Sequence, residues 1–256
     1  MSDGVWLHAV ARDVGSDAAA GLSGVAGRAV RTVAGAGLVA VVSPVDLDRF
    51  GEEALRRNLE NLEWLEGVAR AHHTVVAALA RSRAVVPARL ATVYRDDDSV
   101  RAMLHERRGD LDAVLDRVGG RAEWGVKMYA EAPQPAPDEP AGPSGDRPGT
   151  AYLRRRRARL SADDEWRQRA VDGAEAAHAA LAESAAQARR HPPQDRRLTG
   201  RTEPMVLNGA YLVERRGSER FADLVAAQAA RHGELHLELT GPWPPYSFAG
   251  SEEAPP

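Results

Sequence analysis

A proline-rich interruption divides this chain and limits what it can fold into. Residues 131–149, "EAPQPAPDEPAGPSGDRPG", hold six prolines among acidic and small side chains. Proline lacks a backbone N–H and disfavours helix at the residue before it, and a segment this poor in apolar residues cannot form a core. The segment predicts a linker or loop between an N-terminal domain, residues 1–130, and a C-terminal domain, residues 150–240. A Pro/aromatic tail, residues 241–256, follows the second domain.

The strands of the N-terminal domain are predicted from its β-branched runs. Val5–Ala11 has the pattern of a strand, and Gly35-Ala36-Gly37 separates two apolar runs as a hairpin turn would. Ala84–Tyr94 is predicted as a strand, in which Pro87 favours an edge position or a bulge because it cannot donate to a neighbouring strand. Arg121–Ala130 is predicted as the strand that closes this sheet.

Two helices are predicted where the apolar period changes to three and four residues. The first is one long helix with its apolar stripe at Leu55, Leu59, Leu62, Leu65, Ala69, His72, Val76 and Leu79. The second carries Val100, Leu104, Leu111, Leu115 and Val118 after the cap candidates Asp97, Asp98 and Ser99. This order predicts an α+β fold of the ferredoxin-like type, with an antiparallel sheet and two helices on one face. A doubly wound parallel sheet is the less favoured alternative, because no crossover helix joins the first three strands.

The C-terminal domain is predicted to be a smaller α+β unit with a long helix. Ser161 and Asp164 resemble a capping box at the start of that helix. Its expected buried stripe is mostly alanine and comprises Trp166, Ala170, Ala174, Ala177, Leu181 and Ala185. Strands are predicted at Met205–Arg215 and at residues 234–240, on either side of a short helix that starts at Ser218 and ends at Gly233.

Composition limits the classes of function. The chain has no cysteine, which excludes disulfides, thiolate metal sites and cysteine nucleophiles and suits a reducing compartment. A net charge of −3 gives no general attraction to nucleic acid or to an anionic membrane. The sequence has neither the pattern of a signal peptide nor an apolar run of about 18 residues, so no membrane span is expected.

No group of residues predicts catalysis or a metal site. His72 falls on the apolar stripe and is interpreted as a hydrogen-bonded core histidine, while the adjacent His73 points about 100° away. His232 and His236 are separated by a glycine that should end a helix, so they do not form the H-E-x-x-H zinc pattern. The expectation is therefore no catalytic residue, no metal and no cofactor.

Two further patterns are explained without a ligand. Gly21, Gly24 and Gly27 match neither a dinucleotide-binding fingerprint nor a P-loop, and glycine permissiveness in a surface loop explains them. The basic run Arg154–Arg157 lacks the aromatic and basic support that a nucleic-acid surface would need, and is interpreted as a solvated segment.

The tail is the strongest candidate for an interaction surface. "TGPWPPYSFAG" cannot be helical, and its aromatic side chains would be costly to leave in water. It is expected either to pack back over its own fold or to bind a partner. The candidate partner-binding residues are Trp243, Pro244, Pro245, Tyr246 and Phe248, together with Trp64 and Trp124, for which a core position is the alternative.

Several stretches, in order, resemble the gas vesicle protein family GvpF/GvpL. They are "GLVAVVSPVD", "NLEWLEGVARAHHTVV", "VVPARLATVY", "AEWGVKMY", "GTAYL", "VLNGAYLV" and "ELTGPWPPYSF". The resemblance implies two α+β domains and a noncatalytic accessory protein for gas vesicle assembly, cytoplasmic and associated with vesicles. It implies binding to the small hydrophobic shell protein, to other accessory proteins, or to both, during nucleation or shell growth. It implies neither a nucleic-acid nor a membrane partner, and it does not separate the F from the L subtype.

Two alternatives from other classes stay open at this point. One is an α+β enzyme or small-molecule-binding protein, which a pocket with convergent ionisable groups would favour. The other is a nucleic-acid-associated regulator that uses Arg154–Arg157.

Overall fold

The computed structural model describes residues 3–15, 19, 21–58, 60–131, 148–194 and 200–250. The chain divides into two compact units, one of Met1–Glu123 with Pro242–Pro256 and one of Trp124–Gly241. The strands are β1 (Asp3–Ala11), β2 (Arg31–Gly35), β3 (Leu38–Asp46), β4 (Val86–Pro87), β5 (Val93–Tyr94), β6 (Arg121–Ala130), β7 (Gln187–Arg190), β8 (Met205–Glu214) and β9 (Leu235–Trp243). The helices are α1 (Leu47–Phe50), α2 (Glu52–Asn58), α3 (Leu62–Ala80), α4 (Asp97–Glu106), α5 (Arg108–Val118), α6 (Pro148–Glu183) and α7 (Ser218–Arg231). This mixture of helices with antiparallel sheets confirms the predicted α+β class.

The first unit is built around β1, which lies inside its sheet. The strand order is β2-β3-β1-β4, and β5 also pairs with β1. Every listed pair of this sheet is antiparallel. The predicted hairpin turn is present between β2 and β3, where Ala36 and Gly37 both adopt positive φ, as a two-residue turn between twisted strands requires. Pro87 lies in the short edge strand β4, as predicted from its missing backbone donor.

Both predicted helices of the first unit are interrupted. The first helical pattern forms α2 and then α3, and Asn61 caps α3 by accepting a hydrogen bond from the Trp64 backbone N–H at 3.1 Å. Leu62, predicted to be buried, is therefore at the first position of α3 and is 78% exposed. The second pattern forms α4 and α5 on either side of Arg107, and Asp96 is the actual cap of α4. Its predicted apolar residues Val100, Leu104, Leu111, Leu115 and Val118 are all buried.

The second unit contains the sheet β7-β8-β6-β9. β6 was predicted to close the first sheet, and this prediction was wrong. The place beside β1 is taken by β4 and β5, whereas β6 runs along β9, with Glu131 N donating to Glu234 O at 2.9 Å and Thr240 Oγ1 donating to Gly125 O at 3.4 Å. Apolar alternation predicts that a strand forms, but it does not say which sheet the strand joins.

The long helix α6 begins earlier than predicted. Ser161 lies inside it instead of capping it, because the Arg, Ala and Leu residues before Ser161 are good helix formers and Pro148 suits a first turn. The predicted stripe is confirmed from Trp166 to Leu181, with Ala170, Ala174 and Ala177 also buried in the core of this unit. Ala185 follows the helix and is partly buried. Within the described ranges, no helix combines the length and the apolarity needed to cross a bilayer.

Candidate interaction surface

The C-terminal tail belongs to the first unit and is anchored in it by one side chain. Phe248 is fully buried, and Pro244 and Pro245 are buried with it. The chain turns here in a short 3-10 helix, Tyr246–Phe248, in which Phe248 N donates to Pro245 O at 3.1 Å. Because prolines restrict the unfolded chain, they lower the entropy that this segment loses when it docks.

Two charged side chains fix the backbone of the tail. Arg117 of α5 donates through Nη2 to the carbonyl oxygens of Phe248 and Gly250, both at 3.0 Å. Glu123, which is 8% exposed, accepts from Ser247 N at 2.8 Å and from Ser247 Oγ at 2.7 Å. A buried carboxylate is tolerated only when it is hydrogen-bonded, so the tail supplies donors that Glu123 needs. Sequence reasoning missed this pair of anchors, because residues more than 120 positions apart leave no periodic signal.

Two aromatic side chains of the tail remain half-exposed. Trp243 is 42% and Tyr246 is 37% exposed. Both lie against His73 of α3: the Trp243 ring meets the imidazole edge-on at 5.5 Å, and the Tyr246 ring is 6.0 Å away. The Tyr246 hydroxyl is 3.3 Å from His73 Nδ1. Burial, and then the charge of Glu123, raise the pKa of Tyr246, so its hydroxyl stays protonated at neutral pH and can donate this bond.

The outer side of α3 continues this exposed surface. Leu62, Leu65, Ala69 and His73 follow one another at spacings of three and four residues and therefore lie on one side of the helix. Leu62 is exposed and the other three are half-buried. We call these four residues, together with Trp243 and Tyr246, the α3–tail surface. It is apolar and aromatic, and it is long enough to follow about three turns of a helix.

A buried polar network supports α3 from behind. His72 Nδ1 accepts from Trp6 Nε1 at 3.0 Å, so His72 Nε2 carries the proton and donates to Ala88 O at 3.2 Å. The His8 ring stacks on His72 at 5.3 Å. Burial lowers the pKa of His72 to about 4 and that of His8 to about 3, and the neighbouring His72 lowers the latter further. The prediction that His72 is a hydrogen-bonded core residue is confirmed.

His8 and Ser43 form a serine–histidine pair that is closed to a substrate. His8 Nε2 and Ser43 Oγ are 3.0 Å apart, but both residues are fully buried. Among the described residues His8 Nδ1 has no hydrogen-bond partner, so nothing orients the ring as the acid of a catalytic triad would. Gly24 packs directly over the pair, and a Cβ there would lie 2.6 Å from Ser43 Oγ. This close approach, rather than freedom in a surface loop, is why glycine is required at position 24.

The two remaining candidate tryptophans lie away from the α3–tail surface in their packing. Trp64 is half-buried, 5.7 Å from Phe50 in the core of the first unit. Trp124 belongs to the second unit, where its ring lies 6.4 Å from Phe221. Their role in partner binding stays a prediction, and so does that of the buried Phe248, which would first have to leave its site.

The residues expected to lack chemistry are placed as follows. His232 follows the last residue of α7 and lies 3.7 Å from Glu234, while His236 accepts from Arg201 Nη2 at 2.8 Å. In the part of the chain that the structure describes, no three His, Asp or Glu side chains are grouped as metal ligands would be. A groove in the second unit is lined by Ser184, Val213, Arg216, Arg220, Phe221 and Leu224. Ser184 Oγ donates to Leu181 O there, and Arg216 is paired with Glu214.

The family model for the gas vesicle synthesis protein GvpL/GvpF matches residues 4–250. The chain belongs to this family. Among curated GvpL/GvpF proteins, it is 43% identical to gas vesicle protein L of Streptomyces sp. (strain CB03234) over 97% of this chain and 93% of that protein. It is 26% identical to gas vesicle protein F2 of Halobacterium salinarum, over 75% of this chain and 74% of that protein.

Solved GvpF structures share the fold. GvpF from Anabaena sp. PCC7120 matches with a TM-score of 0.69 at 17% identity, over 98% of each chain. GvpF from Microcystis aeruginosa matches with a TM-score of 0.66 at 17% identity, over 97% of this chain and 99% of that one. At this identity the likeness supports the GvpF fold alone. Membership of the GvpL/GvpF family connects the chain with gas vesicle formation.

Proposed function

We propose that the chain is a noncatalytic, cytoplasmic assembly factor that binds the small hydrophobic shell protein of the gas vesicle through the α3–tail surface. The observation that carries this proposal is the exposure of Leu62, Trp243 and Tyr246, held in place by a buried network and a docked tail. A shell subunit must keep large apolar surfaces out of water before it assembles, and shielding them requires no chemical step. Other accessory proteins of the vesicle are further partners for the same surface.

The geometry favours an amphipathic helix as the bound element. The α3–tail surface runs along a helix, so its apolar side chains recur at the spacing with which a second helix can interdigitate. Trp243 and Tyr246 are rigid aromatic groups that are already ordered by His73 and the tail turn. Preorganised aromatic side chains lose little conformational entropy on binding and are typical centres of interfaces.

A pull-down from cells that coexpress the cognate shell protein tests the proposal. The variant Trp243→Ser/Tyr246→Ser removes two exposed aromatic groups and leaves the buried anchor Phe248 unchanged. Val171→Ser is the matched control, because Val171 is an apolar residue of the second unit with a similar exposure of 45%. Circular dichroism and urea unfolding first establish that both variants fold.

Capture of the shell protein by the wild type and by Val171→Ser, with loss by Trp243→Ser/Tyr246→Ser, is the expected result. Equal capture by all three folded proteins would move the interface away from the α3–tail surface. Failure of the wild type to capture the shell protein under conditions in which vesicles form would overturn direct shell binding. The same experiment with the other accessory proteins as bait then decides whether they use this surface.

A further inference from the structure

The first half of α6 is a helix whose described side chains meet solvent. All the described side chains from Arg154 to Glu165 are exposed, whereas the packed half of the helix begins at Trp166. An isolated helical segment of this length is marginally stable in water, so most helices depend on packing of one face. The surface on this half of α6 is therefore well placed to gain stability from a second molecule.

The charges on this half of α6 are arranged around one exposed leucine. Leu160 is 56% exposed. Arg156 and Arg157 lie one turn before it, and Asp163 and Asp164 lie one turn after it, all of them exposed. At 100° per residue, these four charged side chains fall within about 60° of the direction of Leu160. We call these five residues the α6 charge face.

We propose that the α6 charge face pairs with the same face of a second copy of this chain, with the two helices antiparallel. A two-fold axis beside Leu160 would bring the two Leu160 side chains together. It would place Arg157 opposite Asp164 of the second copy and Arg156 opposite Asp163 of the second copy. The pattern is self-complementary, as the interface of a symmetric dimer must be.

Charge selects the antiparallel orientation. In a parallel pair, Arg156 and Arg157 would face the same arginines of the second copy, and the aspartates would face aspartates. Like charges at such short separations repel, whereas the antiparallel pair forms an Arg–Asp contact at each of four places. Within the chain Asp164 already pairs with Arg167 at 3.0 Å, but these side chains are 77% and 65% exposed, and such surface pairs exchange partners at little cost.

The physical character of this interface predicts a weak, salt-dependent dimer. Two short helical segments bury less area than a stable protein interface requires. Ion pairs at an exposed surface are screened when the ionic strength rises, because the Debye length falls. Self-association should therefore rise with protein concentration and weaken in high salt.

Sedimentation equilibrium on the full-length chain tests the pairing, from about 1 to about 100 µM protein. The measurement is made at about 20 mM and about 500 mM salt. One variant, Arg156→Glu/Arg157→Glu, makes the α6 charge face wholly acidic, and the other, Asp163→Arg/Asp164→Arg, makes it wholly basic. The control Glu165→Arg/Arg169→Glu exchanges two exposed charges that lie on the opposite side of the helix. Circular dichroism establishes that each variant retains its helix.

The expected result is a wild-type mass that rises toward twice the monomer mass in low salt and stays near the monomer mass in high salt. Each charge-reversed variant alone should remain monomeric, their equimolar mixture should recover the double mass, and the control should behave as the wild type. A wild type that stays monomeric at every concentration in low salt overturns the proposal. So does a mixture that stays monomeric, or a variant that dimerises as the wild type does. None of these readouts uses the shell protein, so this test succeeds or fails independently of the proposed function.

Discussion

The C-terminal tail and the first half of α6 have opposite relations between backbone regularity and packing. The tail is irregular and rich in proline, yet Phe248 is fully buried and its backbone is held by Arg117 and Glu123. The first half of α6 is regular helix, yet its described side chains are exposed. The difference teaches that regular backbone hydrogen bonding and tertiary anchoring are separate properties. A segment is anchored where it has a large apolar side chain and a buried partner for its polar groups.

The largest expected effect comes from removing the anchor of the tail. Phe248→Ala leaves a cavity in the first unit and should lower the free energy of unfolding by about 3–5 kcal/mol. Urea unfolding followed by tryptophan fluorescence measures this loss. Trp243→Ala is the control, and because Trp243 is 42% exposed its loss should be clearly smaller. Similar losses for the two variants would mean that the tail is not anchored through Phe248.

Acid should destabilise the first unit through its buried histidines. Burial lowers the pKa of His8 to about 3 and that of His72 to about 4, so in the unfolded chain these rings take up protons first, near pH 6.5. Their contribution is fully present above pH 6.5 and is lost as the pH falls toward the folded pKa values, by an amount on the order of a few kcal/mol. Unfolding in urea at a series of pH values from neutral to acidic measures the slope. His72→Gln should flatten it, and an unchanged slope would contradict the assignment.

A smaller loss is expected from the buried carboxylate that holds the tail. Glu123→Gln weakens two hydrogen bonds from Ser247 and should cost about 1–3 kcal/mol. A double-mutant cycle with Ser247→Ala isolates their coupling in the same unfolding assay. Additive effects of the two substitutions would show that Glu123 stabilises the fold without holding the tail.

The smallest effect is expected in the first half of α6. Ala162→Gly lies in the exposed half and should cost at most about 1 kcal/mol of local helix stability, with the global unfolding midpoint almost unchanged. Ala170→Gly, in the fully buried half, should cost more, because it also removes a packed methyl group. Circular dichroism and urea unfolding compare the two. An equal shift of the midpoint would contradict the contrast between exposed and packed halves.

Local patterns predicted the elements of this fold well, because apolar period and turn residues act over a few positions. The hairpin at Gly35-Ala36-Gly37, the stripe from Trp166 to Leu181 and the core position of His72 are all present. The sheet that β6 joins could not be predicted, because strand pairing depends on partners far along the chain. Leu62 was misplaced because the apolar period continues past the cap residue Asn61.

The α3–tail surface was predictable only in part. The composition of the tail marked it as an interaction surface, but the sequence gave equal reason to expect each of its aromatic residues at a partner. The structure separates buried Phe248 from half-exposed Trp243 and Tyr246. The anchors Arg117 and Glu123, like the contact of His73 with the tail, depend on the three-dimensional arrangement of distant residues.

Hydrogen–deuterium exchange with and without the cognate shell protein tests the central claim most directly. If the α3–tail surface binds that protein, amides of α3 between Leu62 and His73 and of the tail around Tyr246 should become protected on binding. Amides of the packed half of α6, from Trp166 to Leu181, provide an internal reference that should not change. Protection confined to other parts of the chain, or none when binding is established by co-sedimentation, would contradict the claim.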